Sequence, residues 1–184
     1  MSTLEVNKLT PLADNGTVTL GDSGDTITVP SGVTITNNGT QTGFGGTNTP
    51  NFDVRLSGNF GLTNDTFVKV TWDSETFDSD SAFASNKFTV PSGKAGKYMF
   101  VAHYKIGNTL GYYTFRYHKN GSAVSGMSRN VYSYANSDNE FSFHHIAILN
   151  LSVSDYIETY VQTTSGNGNN VFSSQSYWQG FKLI

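Results

Sequence analysis

The chain has no cysteine among its 184 residues, which excludes disulfides, thiolate zinc sites and cysteine nucleophiles together. Charged residues make up only 14% of the sequence and the net charge is −3, so there is neither a basic stripe for nucleic acid nor an acidic tail. No signal-like basic and apolar start occurs, and no apolar run reaches about 18 residues. These absences predict synthesis in a cytoplasm, no secretion signal, no nucleic-acid partner and no membrane insertion.

Sequence signatures of enzymes are also missing. There is no Walker A sequence, no Gly-x-Ser-x-Gly elbow and no His-Glu-x-x-His. The acidic cluster Asp73, Glu75, Asp78 and Asp80 could offer oxygen ligands to calcium, but it does not match the EF-hand template, and a solvated loop is the interpretation we favour. A glycan-processing enzyme would need paired carboxylates in a cleft, and this cluster lies in a predicted loop.

The histidines give no metal site in the sequence. His144 and His145 are adjacent, and neighbouring residues of a strand point to opposite faces, so the two cannot bind one metal unless the strand is broken. We therefore predict a protein that is not an enzyme, with no metal site and no cofactor.

Aromatic residues and glycines are what the chain does contain, with 14% aromatics and 19 glycines. Aromatic side chains pack well on pleated surfaces, and Gly, Asn and Ser supply turns. Short alternating runs separated by turn signals follow residue 51 and predict a β-sandwich or jelly roll. These runs are Phe52–Leu56, Phe67–Trp72, Lys97–Ile106, Tyr112–His118, Phe141–Leu151, Tyr156–Val161 and Tyr177–Ile184.

The run Phe141–Leu151 is apolar on both faces, because Ile146 and Ile148 lie on the face opposite Phe141, Ala147 and Leu151. A strand of this kind in a single-domain sandwich suggests that its outer face meets another subunit. Ile146 and Ile148 are the predicted trimer-interface residues.

Several motifs give residues 52–184 a family resemblance. They are Phe52-x-Val54-x-Leu56-Ser57, Val68-x-Val70, Phe77-Asp78, Phe88-Thr89-Val90-Pro91, Ala95-Gly96-Lys97-Tyr98-x-Phe100, Lys119-Asn120-Gly121, Leu149-x-Leu151 and Gly180-Phe181-x-Leu183. Together they resemble the C1q-like globular head, a relative of the TNF-like jelly roll. The resemblance implies a ten-strand sandwich that trimerises about a three-fold axis, with both termini at its base. Ser154 stands where the family usually has Gly, and the collagen-like stalk is absent. The missing stalk argues against animal complement or adipokine roles.

The first part of the chain carries three apolar-Thr-apolar units separated by strong turn signals. Their apolar residues are Val18, Leu20, Ile27, Val29, Val33 and Ile35. One chain of such short strands cannot offset its conformational entropy, whereas three copies wound together could. A disordered leader is the alternative. We predict a fibrous β segment over residues 1–45, a linker over 46–51 and the head over 52–184.

This leader resembles those of marine bacteriophage structural proteins, which begin with Leu-x-Val-Asn, here Leu4-Glu5-Val6-Asn7, and continue with the Gly21–Gly32 sequence. The resemblance implies a virion structural protein, either a trimeric tail fibre that binds the host surface or a capsid decoration protein. Its partners would be copies of itself, tail or capsid proteins bound through the leader, and a host glycan or protein. The expected location is the virion surface.

A recognition surface is predicted in the segment from Met127 to Asn139, which we expect to be a loop far from the termini. Arg129, Tyr132 and Tyr134 are the candidate receptor-binding residues, because Tyr and Arg suit contacts with glycans and proteins. The alternative is that these tyrosines fill the subunit interface.

Overall fold

The computed structural model describes residues 9, 11, 16–39, 48–107, 110–134, 140–164, 166 and 169–183. The chain divides into two compact units, Met1–Phe44 and Gly45–Ile184, which we call the leader and the head. Across the described ranges no helix is long and apolar enough to cross a membrane.

The described part of the leader, residues 16–39, consists of extended segments and turns. Hydrogen bonds close the two predicted turns, from Asp25 N to Asp22 O at 3.0 Å and from Val33 N to Pro30 O at 3.2 Å. Within residues 16–39 of the single chain no strand is paired, and the predicted fibrous assembly of three copies stays a prediction. The physical reason for the missing pairing is that short isolated strands are marginal in water without a neighbour.

The regular secondary structure of the described residues of the head consists of β-strands alone. The strands are β1 Asn51–Arg55, β2 Phe60–Gly61, β3 Val68–Lys69, β4 Ser74–Asp78, β5 Phe83–Ala84, β6 Lys87–Thr89, β7 Gly96–Ile106, β8 Gly111–Lys119, β9 Ser122–Ser133, β10 Phe141–Leu151, β11 Tyr156–Thr163, β12 Asn170–Val171 and β13 Tyr177–Lys182.

These strands form two antiparallel sheets. Sheet A follows the order β2-β12-β7-β13-β1-β4, with β10 paired along the other edge of β7. Sheet B follows the order β5-β6-β11-β8-β9, and β3 also pairs with β11. Such non-consecutive pairing confirms the predicted all-β jelly roll.

The core between the sheets is built from aromatic rings. Phe52 stacks on Phe88 with ring centroids 5.2 Å apart and meets Trp178 edge-on at 5.0 Å. Both geometries are the preferred ones for aromatic pairs. Gly180 lies beside Phe52 and Phe100, where a Cβ would come within 2.5 Å and 2.7 Å of ring atoms. The closing Gly-Phe-x-Leu motif therefore needs glycine so that β13 can approach the core.

The Asn120-Gly121 signal is a two-residue hairpin turn between β8 and β9, with φ of 52° and 80°. Both central residues of the favoured hairpin turn have positive φ, which Asn and Gly tolerate. Ser154 also has positive φ, 69°, which explains why glycine is usual at this position in the family it resembles.

The largest departures from the sequence prediction are β9 and β4. The predicted recognition loop is wrong for Met127–Ser133, which lie in β9, and Ser74–Asp78 are a strand rather than a solvated loop. β9 is an edge strand with few buried side chains, so its apolar alternation is weak. The turn residues predicted at 108, 136–139 and 167–168 lie outside the described residues.

Candidate functional site

The outer face of sheet A, which we call the sheet A face, is ordered by strand register into three rows of side chains. Inward residues such as Phe52, Tyr104 and Ala147 are buried in the core, so their chain neighbours point outward. Reading across β1, β13, β7 and β10, the rows are Arg55-Tyr177-His103-His144, Asp53-Gln179-Val101-Ile146 and Asn51-Phe181-Met99-Ile148.

Ile146 and Ile148 are the most exposed apolar side chains of the sheet A face, at 50% and 55% exposure. Their register partners Val101 and Met99 are half-buried beside them on β7. The structure therefore places both predicted interface residues in one apolar strip. Single exposed apolar residues are ordinary, but a continuous strip on a sheet face marks an interaction surface.

Beside the apolar strip, toward β1, the same face carries the polar pair Asp53 and Gln179. Asp53 is buried, accepts a hydrogen bond from Gln179 Nε2 at 2.9 Å, and forms an ion pair with Arg55 at 3.0 Å. Both contacts use Oδ2, while Oδ1 is buried without a partner among the described residues. Buried carboxylate oxygens are nearly always hydrogen-bonded, so this oxygen is an exception among the described residues.

The first row of the sheet A face is aromatic. The His103 and His144 rings lie 4.3 Å apart between centroids, and Tyr177 stacks on His103 at 5.1 Å. The Arg55 guanidinium lies over the other side of Tyr177, 5.7 Å from the ring centroid. Burial, and then the neighbouring His103, lower the pKa of His144 from its ordinary value. Sequence reasoning missed this pairing because His103 and His144 are distant along the chain and only strand register joins them.

The head has two distinguishable ends. Asn51 and Phe181 pair at the proximal end, where the linker enters and β13 finishes. β7 leads from this end to Ile106, which pairs with Phe141 at the distal end. A cleft of about 430 Å³ opens at the distal end between the end of β9 and the start of β10. Its lining residues include Tyr132, Tyr134 and Phe141.

Three tyrosines beside this cleft form what we call the tyrosine ladder. Tyr112 and Tyr132 are register partners with edge-on rings 4.6 Å apart, and Tyr134 meets Tyr132 at 4.7 Å. Tyr134 is 85% exposed. The predicted residues Tyr132 and Tyr134 thus lie at the distal end as expected. Tyr112 was missed, although it begins the predicted run Tyr112–His118.

Arg129 does not join the tyrosine ladder. It lies within β9 opposite Phe115, and its Nη1 donates to the carbonyls of Gly126 and Ser128 on its own strand. Its charge lowers the pKa of the buried His145 ring, after the larger effect of burial itself. The structure therefore places Arg129 at the open edge between the sheets.

The acidic cluster does not converge on a calcium site. Asp73 accepts hydrogen bonds from Ser57 N and Oγ, which lower the pKa of its carboxyl group, whereas Asp78 accepts from Ala82 N and Phe83 N. The two residues flank or end β4 and serve different turns. In the described part of the chain, no group of three or more His, Asp or Glu side chains could hold a metal ion.

The six predicted attachment residues of the leader are all exposed in the single chain, from 39% at Val18 to 62% at Ile27. The predicted attachment residues are thus available to other chains.

The head has the C1q/TNF-like jelly-roll fold. The globular domain of zebrafish complement 1qA protein is similar over 74% of this chain and 98% of its own, with 17% sequence identity and a TM-score of 0.55. Murine APRIL, in a crystal structure at pH 5.0, is similar over 73% of this chain and 98% of its own, with 11% identity and a TM-score of 0.52. No protein-family model and no curated protein matches the sequence.

Proposed function

We propose that the chain is a homotrimeric virion fibre protein whose head assembles through the sheet A face and binds the host surface with its distal end. The observation that carries the proposal is the apolar strip of Ile146, Ile148, Val101 and Met99 on an uncovered sheet face. Full burial of one such side chain contributes about 1.5–3 kcal/mol, so covering a half-exposed isoleucine contributes about 1 kcal/mol.

A second copy of the chain is the partner that fits this strip best. The motifs shared with C1q-like heads, which imply a three-fold assembly, support this choice, as does the fold itself. Aspartate in place of Ile146 would bring a charge into the contact and dissociate the trimer.

The leader is the proposed attachment segment. Its exposed apolar series stabilises a particle only when covered by other copies or by a tail or capsid protein. Phage particles carrying the double variant Ile27→Asp and Val29→Asp are expected to lack the protein. Normal incorporation of this variant would contradict attachment through the leader.

The tyrosine ladder is the proposed recognition surface. Tyr side chains give large contact area with only two torsions to immobilise, and three copies on one head would raise avidity. The ladder lies at the distal end of the head, opposite the end where β1 begins at Asn51.

The experiment compares host adsorption of particles carrying Tyr132→Ala and Tyr134→Ala with particles carrying Tyr156→Ala. Tyr156 is a matched control because it packs under Lys87 at the proximal end. The ladder variant should lose adsorption while trimer mass and particle assembly stay normal, and the control should adsorb normally. Unchanged adsorption would contradict the role in host binding and favour a capsid decoration protein. Loss of the trimer would instead show that the tyrosines belong to the subunit contact.

A further inference from the structure

The aromatic row of the sheet A face contains three polar groups in one place, on three adjacent strands. His103 on β7 and His144 on β10 are directly opposed in an antiparallel pair, and Tyr177 on β13 is the register partner of His103 on its other side. The histidine rings are 4.3 Å apart, and the Tyr177 hydroxyl lies 3.3 Å from His144 Nε2. Directly opposed residues on one face bring side-chain ends within reach of a shared ligand.

The tautomer of His103 is set by its backbone partner. His103 Nδ1 lies 2.7 Å from the carbonyl oxygen of Gln175, which is only an acceptor, so Nδ1 carries the proton. Nε2 of the neutral ring then keeps its lone pair. A histidine whose second nitrogen donates to a backbone carbonyl is the usual arrangement of a metal ligand, because that bond holds the ring and raises its basicity.

His144 supplies the second imidazole. In the single chain it lies on the exposed face of an edge strand, where an ion can reach it from solvent. Two further cations face the row, but each is paired: Arg55 with Asp53 at 3.0 Å, and Lys105 with Glu140 at 2.5 Å. The paired carboxylates therefore weaken the repulsion between these two side chains and a bound metal cation.

The geometry points to a divalent transition-metal site formed by His103 and His144, with the Tyr177 hydroxyl as the third polar group beside the ion. Imidazole ligands suit Zn²⁺, Ni²⁺ and Cu²⁺, whereas Ca²⁺ and Mg²⁺ prefer oxygen. Two histidines from one chain leave coordination positions for water or for a ligand from elsewhere. Both imidazoles belong to the same chain, so the site takes no ligand from a second copy, although it shares the sheet A face with the proposed subunit contact.

The probe for this site is Zn²⁺ alone, titrated calorimetrically into the full-length protein at about pH 7.5. Saturable binding of no more than one ion per chain is expected, and His144→Ala should weaken it by about tenfold or more because the chelate is lost. His144 is the residue to replace because it is exposed and its loss leaves the core intact. Acidification to about pH 5.5 should weaken binding in the unaltered protein, since protons compete for the ring nitrogens.

His118→Ala is the matched control, since His118 also stacks on a tyrosine, Tyr160, with centroids 3.9 Å apart, but has no histidine opposite it. This variant should bind Zn²⁺ as the parent does. Nitrogen NMR signals of the His103 and His144 rings should shift with Zn²⁺, while those of His118 and His145 stay in place. Absence of saturable binding, or equal affinity in the His144→Ala variant, would overturn the site.

Discussion

His145 gives the head a defined sensitivity to acid. Its ring is 1% exposed, packs on Tyr117 with centroids 4.5 Å apart, and has no hydrogen-bond partner of normal geometry among the described residues. Burial, and then the charge of Arg129, lower its pKa from 6.5 to about 4. The folded state therefore binds fewer protons than the unfolded state between these two values, and acidification favours unfolding.

The size of this effect follows from proton linkage. The contribution of the neutral His145 to the free energy of unfolding is fully present above 6.5, the pKa of the ring in the unfolded chain. It is lost as the pH falls toward about 4, the pKa of the ring in the folded state. At about pH 5 the loss is about 2 kcal/mol relative to neutral pH. Asp155, whose pKa is lowered to about 2 by its hydrogen bonds from Lys119 and Asn120, titrates below this window and does not obscure it.

His145→Phe tests this account because phenylalanine keeps a ring against Tyr117 and removes the titration. Urea unfolding at one protein concentration should show the parent losing about 2 kcal/mol more than the variant between about pH 7.5 and about pH 5. In a His118→Asn control, acidification should still lower the free energy of unfolding by the amount assigned to His145, because His145 is unchanged. An equal acid loss in the parent and in His145→Phe would refute the assignment to His145.

Two further predictions concern backbone positions, each checked by thermal unfolding. Gly180→Ala should destabilise the head by about 1–3 kcal/mol, because the added Cβ would lie 2.5 Å from a Phe52 ring atom; an unchanged melting temperature would show that β13 can shift away from the core. Ser154→Gly should raise stability by up to about 1 kcal/mol, because it relieves a φ of 69°; a lower melting temperature would mean that the flexibility of glycine in the unfolded chain outweighs that strain.

The long core strands were predictable because their alternation is strong. Phe141–Leu151 matches β10 residue for residue, and Lys97–Ile106 differs from β7 only by the inclusion of Gly96. β9 was not predictable in this way, since an edge strand buries few side chains and leaves little periodic signal. β3 is shorter than the run Phe67–Trp72 predicted, because only two of its residues pair with β11.

The candidate site was predictable only in part. The exposed position of Ile146 and Ile148 follows from strand alternation and was correct. The row that joins His103 to His144 depends on which residues are opposed in two strands far apart in sequence, and a single sequence carries no register information of this kind. The prediction that His144 and His145 point apart is confirmed, with His144 exposed and His145 buried.

The molar mass of the chain in solution tests the proposed assembly most directly. Size-exclusion chromatography with light scattering should give three times the 20.0 kDa of one chain for the unaltered protein. The Ile146→Asp and Ile148→Asp double variant should give a folded particle of one chain mass, while the same substitution at Val153, an exposed residue in the turn between β10 and β11, should leave the trimer intact. A stable 20.0 kDa monomer of the unaltered protein would contradict the proposal that the sheet A face joins three copies.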